Sequence, residues 1–224
     1  IDDTYHGVNV TDDYRWLEDA ADDDVRRWSD AQNKFARSYL QRLPGVAAIR
    51  ERVTEILADE SISYGGVTPA AKRIFAMKRQ PPKQQPFLVV MDDDAVAASA
   101  RTLVDPEDVD AEGTTRIDWF APSPEGDLVA VSLSRKGTES GDVHVYDVAT
   151  GKQVHEVIPR VNGGTAGGDL AWARDGSGFF YTRYPRGAER PPEDRDFFQQ
   201  VYYHQLGTPT EKDVYELGKN LPRI

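Results

Sequence analysis

Between Asp22 and Leu43 the apolar residues Val25, Trp28, Phe35, Ala36, Tyr39, Leu40 and Leu43 recur mostly at steps of three, four and seven. That spacing places side chains on one face of a helix. Asp22, Asp23 and Asp24 stand at its start, where side-chain oxygens cap free amides and favour the positive end of the helix dipole. Arg37 and Arg42 stand toward the other end, and Pro44-Gly45 stops the helix. A second amphipathic run, Val46, Ile49, Val53, Ile56 and Leu57, reaches to about Asp59. Two helices alone bury too little surface to offset their ordering entropy, so this pattern calls for a host surface.

After Tyr64 the period changes from helical spacing to two, punctuated by Gly, Pro and Asp. Strands are expected at 73–78, 87–91, 101–104, 116–120, 128–134, 142–148, 152–157, 169–173, 178–183, 200–206 and 213–217. An internal repeat organises them. Trp119–Ser134 and Leu170–Arg183 share an aromatic, a polar turn with an acid-Gly pair or its equivalent, and an apolar strand, with Gly126 and Gly176 in matching places. Units of roughly 40–50 residues with four strands each are the sequence signature of a β-propeller. A weaker copy through Arg73–Lys78 and Phe87–Asp94 brings the total to about three blades, fewer than the 4–8 that close a ring.

Charge and composition narrow the function. Lys and Arg number 27 against 38 Asp and Glu, a net charge of -11, which argues against nucleic acid or an anionic membrane as partner. Cysteine is absent, so disulfides and thiolate chemistry drop out. The longest apolar runs, such as Phe87–Met91, are far too short to span a bilayer. The chain starts at Ile1 rather than Met, so the translated start is expected upstream; the compartment, cytoplasm or periplasm, stays open.

At this point the motifs "DTYHGVNVTDDYRWLED" and "WSDAQNKFARSYL" come together with "LVDPEDVDAEGTT", "FAPSPEGDLVAVSLS", "VYDVATGK", "LAWARDGSGFFYTRYP" and "QQVYYHQLGT". In that order, over nearly the whole chain, they resemble the amino-terminal portion of the prolyl oligopeptidase family of serine peptidases. Asp13 stands where that family usually has a proline before Tyr14. The resemblance implies a mainly β fold: a partial seven-bladed propeller of four-stranded antiparallel blades, preceded by a helical segment that packs on an α/β-hydrolase domain outside this chain. The division implied is 1–60 for the helical segment and 61–224 for the first three blades. Trp16, Trp28 and their helix face would then lie against the hydrolase portion of the same protein, the alternative being a helical pair that caps the propeller edge.

The implied activity is hydrolysis of short proline-containing peptides on the carboxyl side of proline. It would run through an acyl-enzyme with a Ser, Asp and His triad and an oxyanion hole. The propeller would restrict substrate size. No cofactor and no metal is implied. This chain has no Gly-x-Ser-x-Gly elbow, so no catalytic residue is expected in it and the chain alone should be inactive. One position carries over: Phe180, the second aromatic of "GFFYTRYP", matches a family residue that lines the substrate pocket. Strand alternation by itself leaves open whether Phe180 faces that pocket or joins Phe179 in ordinary blade packing. Two alternatives stand beside the proline-specific reading, an oligopeptidase cleaving after Lys or Arg and a non-catalytic propeller used as a binding module.

Other motifs reduce to structure. Asn162–Asp169 is glycine-rich but lacks the Lys-Ser/Thr of a phosphate loop. Asp108–Gly113 starts like a calcium loop, yet Trp119 stands where a bidentate Glu is required. His6, His144, His155 and His204 have no metal-ligand spacing, and His144 and His204 are expected in strands as packed or hydrogen-bonded groups. Asn9–Thr11 fits a glycosylation sequon of the kind that arises by chance.

Overall fold

A computed structural model describes residues 1–58, 61–92, 97–161 and 168–222. They form two compact units, Ile1–Asp59 and Glu60–Ile224.

The first unit opens with a hairpin that the sequence pattern did not announce, β1 (Asp2–Tyr5) paired antiparallel with β2 (Val8–Thr11). Its strands carry too many exposed and polar residues to alternate legibly, and the turn works because Gly7 takes φ +82° after His6 at φ 52°. A 3-10 turn over Arg15–Glu18 follows. Arg15 ties it to the hairpin through Asp3 and Asp12. α1 spans Asp23–Leu40, and the Asp22 carboxylate caps it by accepting from the Asp24 amide. α2 spans Val46–Leu57, with Gly45 in left-handed backbone at its start. Trp16 and Trp28 meet edge to face, ring centres 6.0 Å apart. Within the described residues of this unit only Val25 is buried; Phe35, Tyr39, Leu40, Ile49, Val53 and Ile56 are all exposed. The amphipathic faces read from the sequence are real, and they carry their apolar residues to the surface.

The second unit holds three antiparallel four-stranded sheets, each drawn from one continuous run of chain. The first contains β3 (Ser63–Ala70), β4 (Arg73–Arg79), β5 (Phe87–Asp92) and β6 (Arg101–Val104). The second contains β7 (Thr115–Pro122), β8 (Leu128–Arg135), β9 (Asp142–Asp147) and β10 (Gln153–Ile158). The third contains β11 (Leu170–Trp172), β12 (Gly178–Arg183), β13 (Gln200–Gln205) and β14 (Val214–Leu217). These are the three expected blades. β3 is the addition: Gly65, Gly66 and Pro69 hide it from a propensity reading, and it tolerates them as an edge strand with a register shift between Gly65 and Thr68.

The blades stack face to face, and strand parity decides which neighbour each side chain meets. In β8, Val129, Val131 and Leu133 join Phe75, Leu88 and Val90 between the first two blades. Ala130, on the opposite face, joins Val143, Val145, Leu170, Phe179 and Tyr181 between the second and third. β5 divides likewise: Leu88 and Val90 face the second blade, while Phe87, Val89 and Met91 form a separate cluster with Ala76. This is why β5 reads as an unbroken apolar run and why β8 carries apolar side chains on both of its faces. Each such fully buried side chain is worth about 1.5–3 kcal/mol against exposure.

Main-chain acceptors fix the blades against one another. Arg73 Nη1 donates across the first seam to the Gly126 carbonyl at 2.7 Å, and Arg101 donates to the Val148 carbonyl. Across the second seam, the Trp172 indole N–H donates to the Ala121 carbonyl at 2.9 Å. Gly126, with φ +65°, comes so close that a Cβ there would lie 2.8 Å from the Ala70 carbonyl oxygen.

Candidate functional site

The site begins with a turn. The Asp175 carboxylate accepts from the Ser177 amide and hydroxyl, a local bond pattern that closes the loop and delivers β12 at Gly178. From there the strand alternates. Phe179 is fully buried among Trp172, Tyr181 and His204, with ring centres 5.1, 6.2 and 5.3 Å away. Phe180 points to the other face, where it is 41% exposed and meets Tyr203 of β13 at 5.1 Å. Phe180 and Tyr203 are directly paired across the two strands. The structure therefore separates the two aromatics: Phe179 is core, and Phe180 stands on the accessible face of the third blade.

Behind Phe179 lies a buried polar chain. Asp213 Oδ1 lies 2.6 Å from His204 Nδ1, and the Tyr181 hydroxyl donates to Asp213 Oδ2 at 2.5 Å. Burial first, and then Asp213, push the Tyr181 phenol well above its ordinary pKa. Arg183, itself buried, forms a two-point pair with Glu189 at 2.8 and 2.9 Å and lies over the Tyr202 ring. Burial, the largest single influence, would lower the Arg183 pKa; the hydrogen bonds to Glu189 together with the charges of Glu189, Tyr202 and Tyr181 outweigh it, so the net shift is upward. The same contact holds the Glu189 carboxyl below its usual value. Burial lowers Arg186, which donates to the Pro159 carbonyl. Arg183, Arg186, Tyr202, Asp213, Tyr215 and Lys219 line an open cavity of about 410 Å³. The carboxylates of Glu189 and Asp213 are each already engaged, which suits a part that braces the blade.

The remaining sequence candidates fall out as anticipated chemistry of turns and packing. Asp110 accepts from Thr114, Thr115 and the Glu112 amide, which closes the 108–115 turn internally. His144 bonds Gln153 at 2.9 Å, and His204 is the buried histidine of the chain just described. Asn9 accepts from Thr4 within the hairpin. Residues 162–167 of the glycine-rich stretch and Asp93 and Asp94 lie outside the described residues. Among the described residues, no group of three or more His, Cys, Asp or Glu could hold a metal ion. No helix of the described residues is long and apolar enough to cross a membrane. Two residues that sequence reasoning passed over now matter. Tyr203 was one aromatic of a strand, and Asp213 was assigned to a strand although it sits in the turn before β14, after the 3-10 turn Thr210–Lys212.

Comparison with known proteins places these observations. Residues 2–221 match the family model described as "Prolyl oligopeptidase, N-terminal beta-propeller domain". The chain is 29% identical over 222 residues to a prolyl endopeptidase from Elizabethkingia miricola, covering 96% of this chain and 29% of that protein. It is 26% identical to prolyl oligopeptidase A from Galerina marginata, covering 92% of this chain and 30% of that one. Among solved structures, a chain from a study of two prolyl endopeptidases and their inter-domain dynamics superposes with a TM-score of 0.83 at 29% identity. That match covers 96% of this chain and 31% of the other. Oligopeptidase B from Leishmania major shares the fold, with a TM-score of 0.70 at 20% identity, covering 94% of this chain and 29% of that one. The chain thus spans less than a third of the length of the relatives it matches.

Proposed function

The chain belongs to the prolyl oligopeptidase family, as its amino-terminal β-propeller domain, and from that we propose that it serves a serine endopeptidase hydrolysing short peptides on the carboxyl side of proline. The observation that carries this reading is the match across residues 2–221, together with relatives named prolyl endopeptidase that align over 96% of the chain. The chain supplies no nucleophile elbow of its own. Its part is to bind and to exclude: a rigid wall of stacked blades admits an extended short peptide and turns away a folded chain. The nucleophile, general base and oxyanion donors belong to the hydrolase portion, onto which the exposed face of Trp28, Phe35 and Tyr39 in the first unit packs.

Phe180 is the residue through which the propeller touches substrate. Its ring is accessible on the third blade, and an apolar face of that kind suits a peptide side chain or an amino-terminal blocking group. The test is turnover by the full-length protein of a chromogenic Gly-Pro amide beside an Arg amide. Preference for the Gly-Pro substrate by at least tenfold in kcat/KM is expected. Equal turnover, or preference for Arg, would reject the proline assignment.

A further inference from the structure

The contact face of Phe180 is set by a second aromatic. We propose that Tyr203 is a positioning residue that holds the Phe180 ring in its substrate-facing orientation, an inference that rests on the reading of Phe180 given above. Three observations converge. The two residues are direct partners on β12 and β13, with ring centres 5.1 Å apart and planes 52° to each other. The Tyr203 hydroxyl lies 3.1 Å from Ser177 Oγ and 3.2 Å from Gln205 Oε1, so its proton can go to either. Ser177 is itself fixed, since its hydroxyl donates to the Asp175 carboxylate and its carbonyl accepts from Gln205 Nε2. Finally, the ring passes over Gly178: a Cβ there would lie 2.6 Å from the Tyr203 hydroxyl oxygen and 2.8 Å from Cζ.

The arrangement has a clear mechanical sense. A tyrosine pinned at its hydroxyl and lying over a residue without a side chain cannot swing along the strand. It therefore presents a fixed flank against which Phe180 rests. A half-exposed phenylalanine without such a flank samples several rotamers, and each substrate then bears the cost of freezing one. The clamp removes part of that cost before binding.

The experiment uses the full-length peptidase and proline substrates carrying either a large aromatic amino-terminal blocking group or a small acetyl group. Tyr203→Leu and Phe180→Leu should each raise KM for the aromatic-blocked substrate about three- to tenfold, with a smaller effect on kcat and a smaller rise in KM for the acetyl substrate. The double variant should be no worse than Phe180→Leu, because one residue acts through the other. Tyr203→Phe should fall between wild type and Tyr203→Leu. An unchanged KM in Tyr203→Leu beside a raised KM in Phe180→Leu overturns the clamp and leaves the Phe180 contact standing. An unchanged KM in Phe180→Leu overturns both. If Tyr203→Leu does not fold, the Ser177→Ala and Gln205→Leu pair frees the hydroxyl and keeps the ring. A rise of about twofold in KM for the aromatic-blocked substrate alone then supports the clamp, and no rise overturns it.

Discussion

His204 Nδ1 and Asp213 Oδ1 lie 2.6 Å apart with both side chains almost wholly buried, at 1% and 3% exposure. A carboxylate only accepts, so Nδ1 carries the proton, and the second carboxylate oxygen takes the Tyr181 hydroxyl. Removing the acid strands two donors in an apolar seam. Asp213→Ala is therefore expected to cost about 3 kcal/mol, and Tyr181→Phe, which removes only one donor, about 1 kcal/mol. Urea denaturation of the full-length protein would show both. A cost for Asp213→Ala below that of Tyr181→Phe would remove the carboxylate from the centre of this chain.

The first seam can be probed by two glycines that share a backbone conformation but not a neighbourhood. Gly126 and Gly113 have φ of +65° and +68°, yet a Cβ at Gly113 meets nothing within 4 Å, whereas at Gly126 it meets the Ala70 carbonyl. Gly113→Ala should cost about 1 kcal/mol through backbone strain alone. Gly126→Ala should cost about 1–2 kcal/mol more, the difference being what it takes to part the blades. Equal melting midpoints for the two variants would mean that the seam yields freely.

Acid should act on the turns as well as on the Arg183–Glu189 pair. The Thr114 hydroxyl and the Glu112 amide bring Asp110 from 3.8 to about 2, and the Thr150 and Ser177 side chains lower Asp147 and Asp175 in the same direction. A carboxyl depressed in the folded state gives stability that is complete above its unfolded pKa and lost as pH falls through the folded one. For Asp110 that window runs from about pH 4 down to about pH 2. The melting midpoint should hold level from pH 7 to pH 5 and fall below pH 4, and Asp110→Asn should flatten that fall while lowering the midpoint at neutral pH. A fall already complete by pH 5 would assign acid sensitivity to other groups.

Residues 1–224 expressed alone should associate or precipitate. Phe180, Val214 and Leu217 lie exposed on the third blade, and Trp16, Trp28, Phe35 and Tyr39 on the helical unit. Apolar patches of that extent seek partners. Analytical ultracentrifugation showing a stable monomer with one sharp thermal transition would contradict this expectation.

Much of the fold could be read directly because the buried strands are so apolar. β5 and β8 are buried on both faces, which favours apolar stretches such as "FLVVM" and leaves little ambiguity. β12 has the bounds expected of it although only one of its faces is fully buried, because Gly178 and the aromatic run after it mark its start. β1, β2 and β3 escaped because exposed edge strands need no such pattern and accept Asp, Asn, Gly and Pro. The site was harder. Phe180 could be singled out by motif, but which of two adjacent aromatics faces outward depends on register, and register is set by the Asp175–Ser177 turn. Tyr203 carried no signal at all, because its role comes from a partner 23 positions away and from the missing side chain at Gly178.

The unbroken run of chain behind each sheet has a consequence for biosynthesis. No strand of one sheet waits for a segment translated after the next sheet, so a nascent polypeptide can finish each meander in turn as it leaves the ribosome. Each new sheet then finds a completed apolar face already waiting for it, and assembly proceeds in the order of translation.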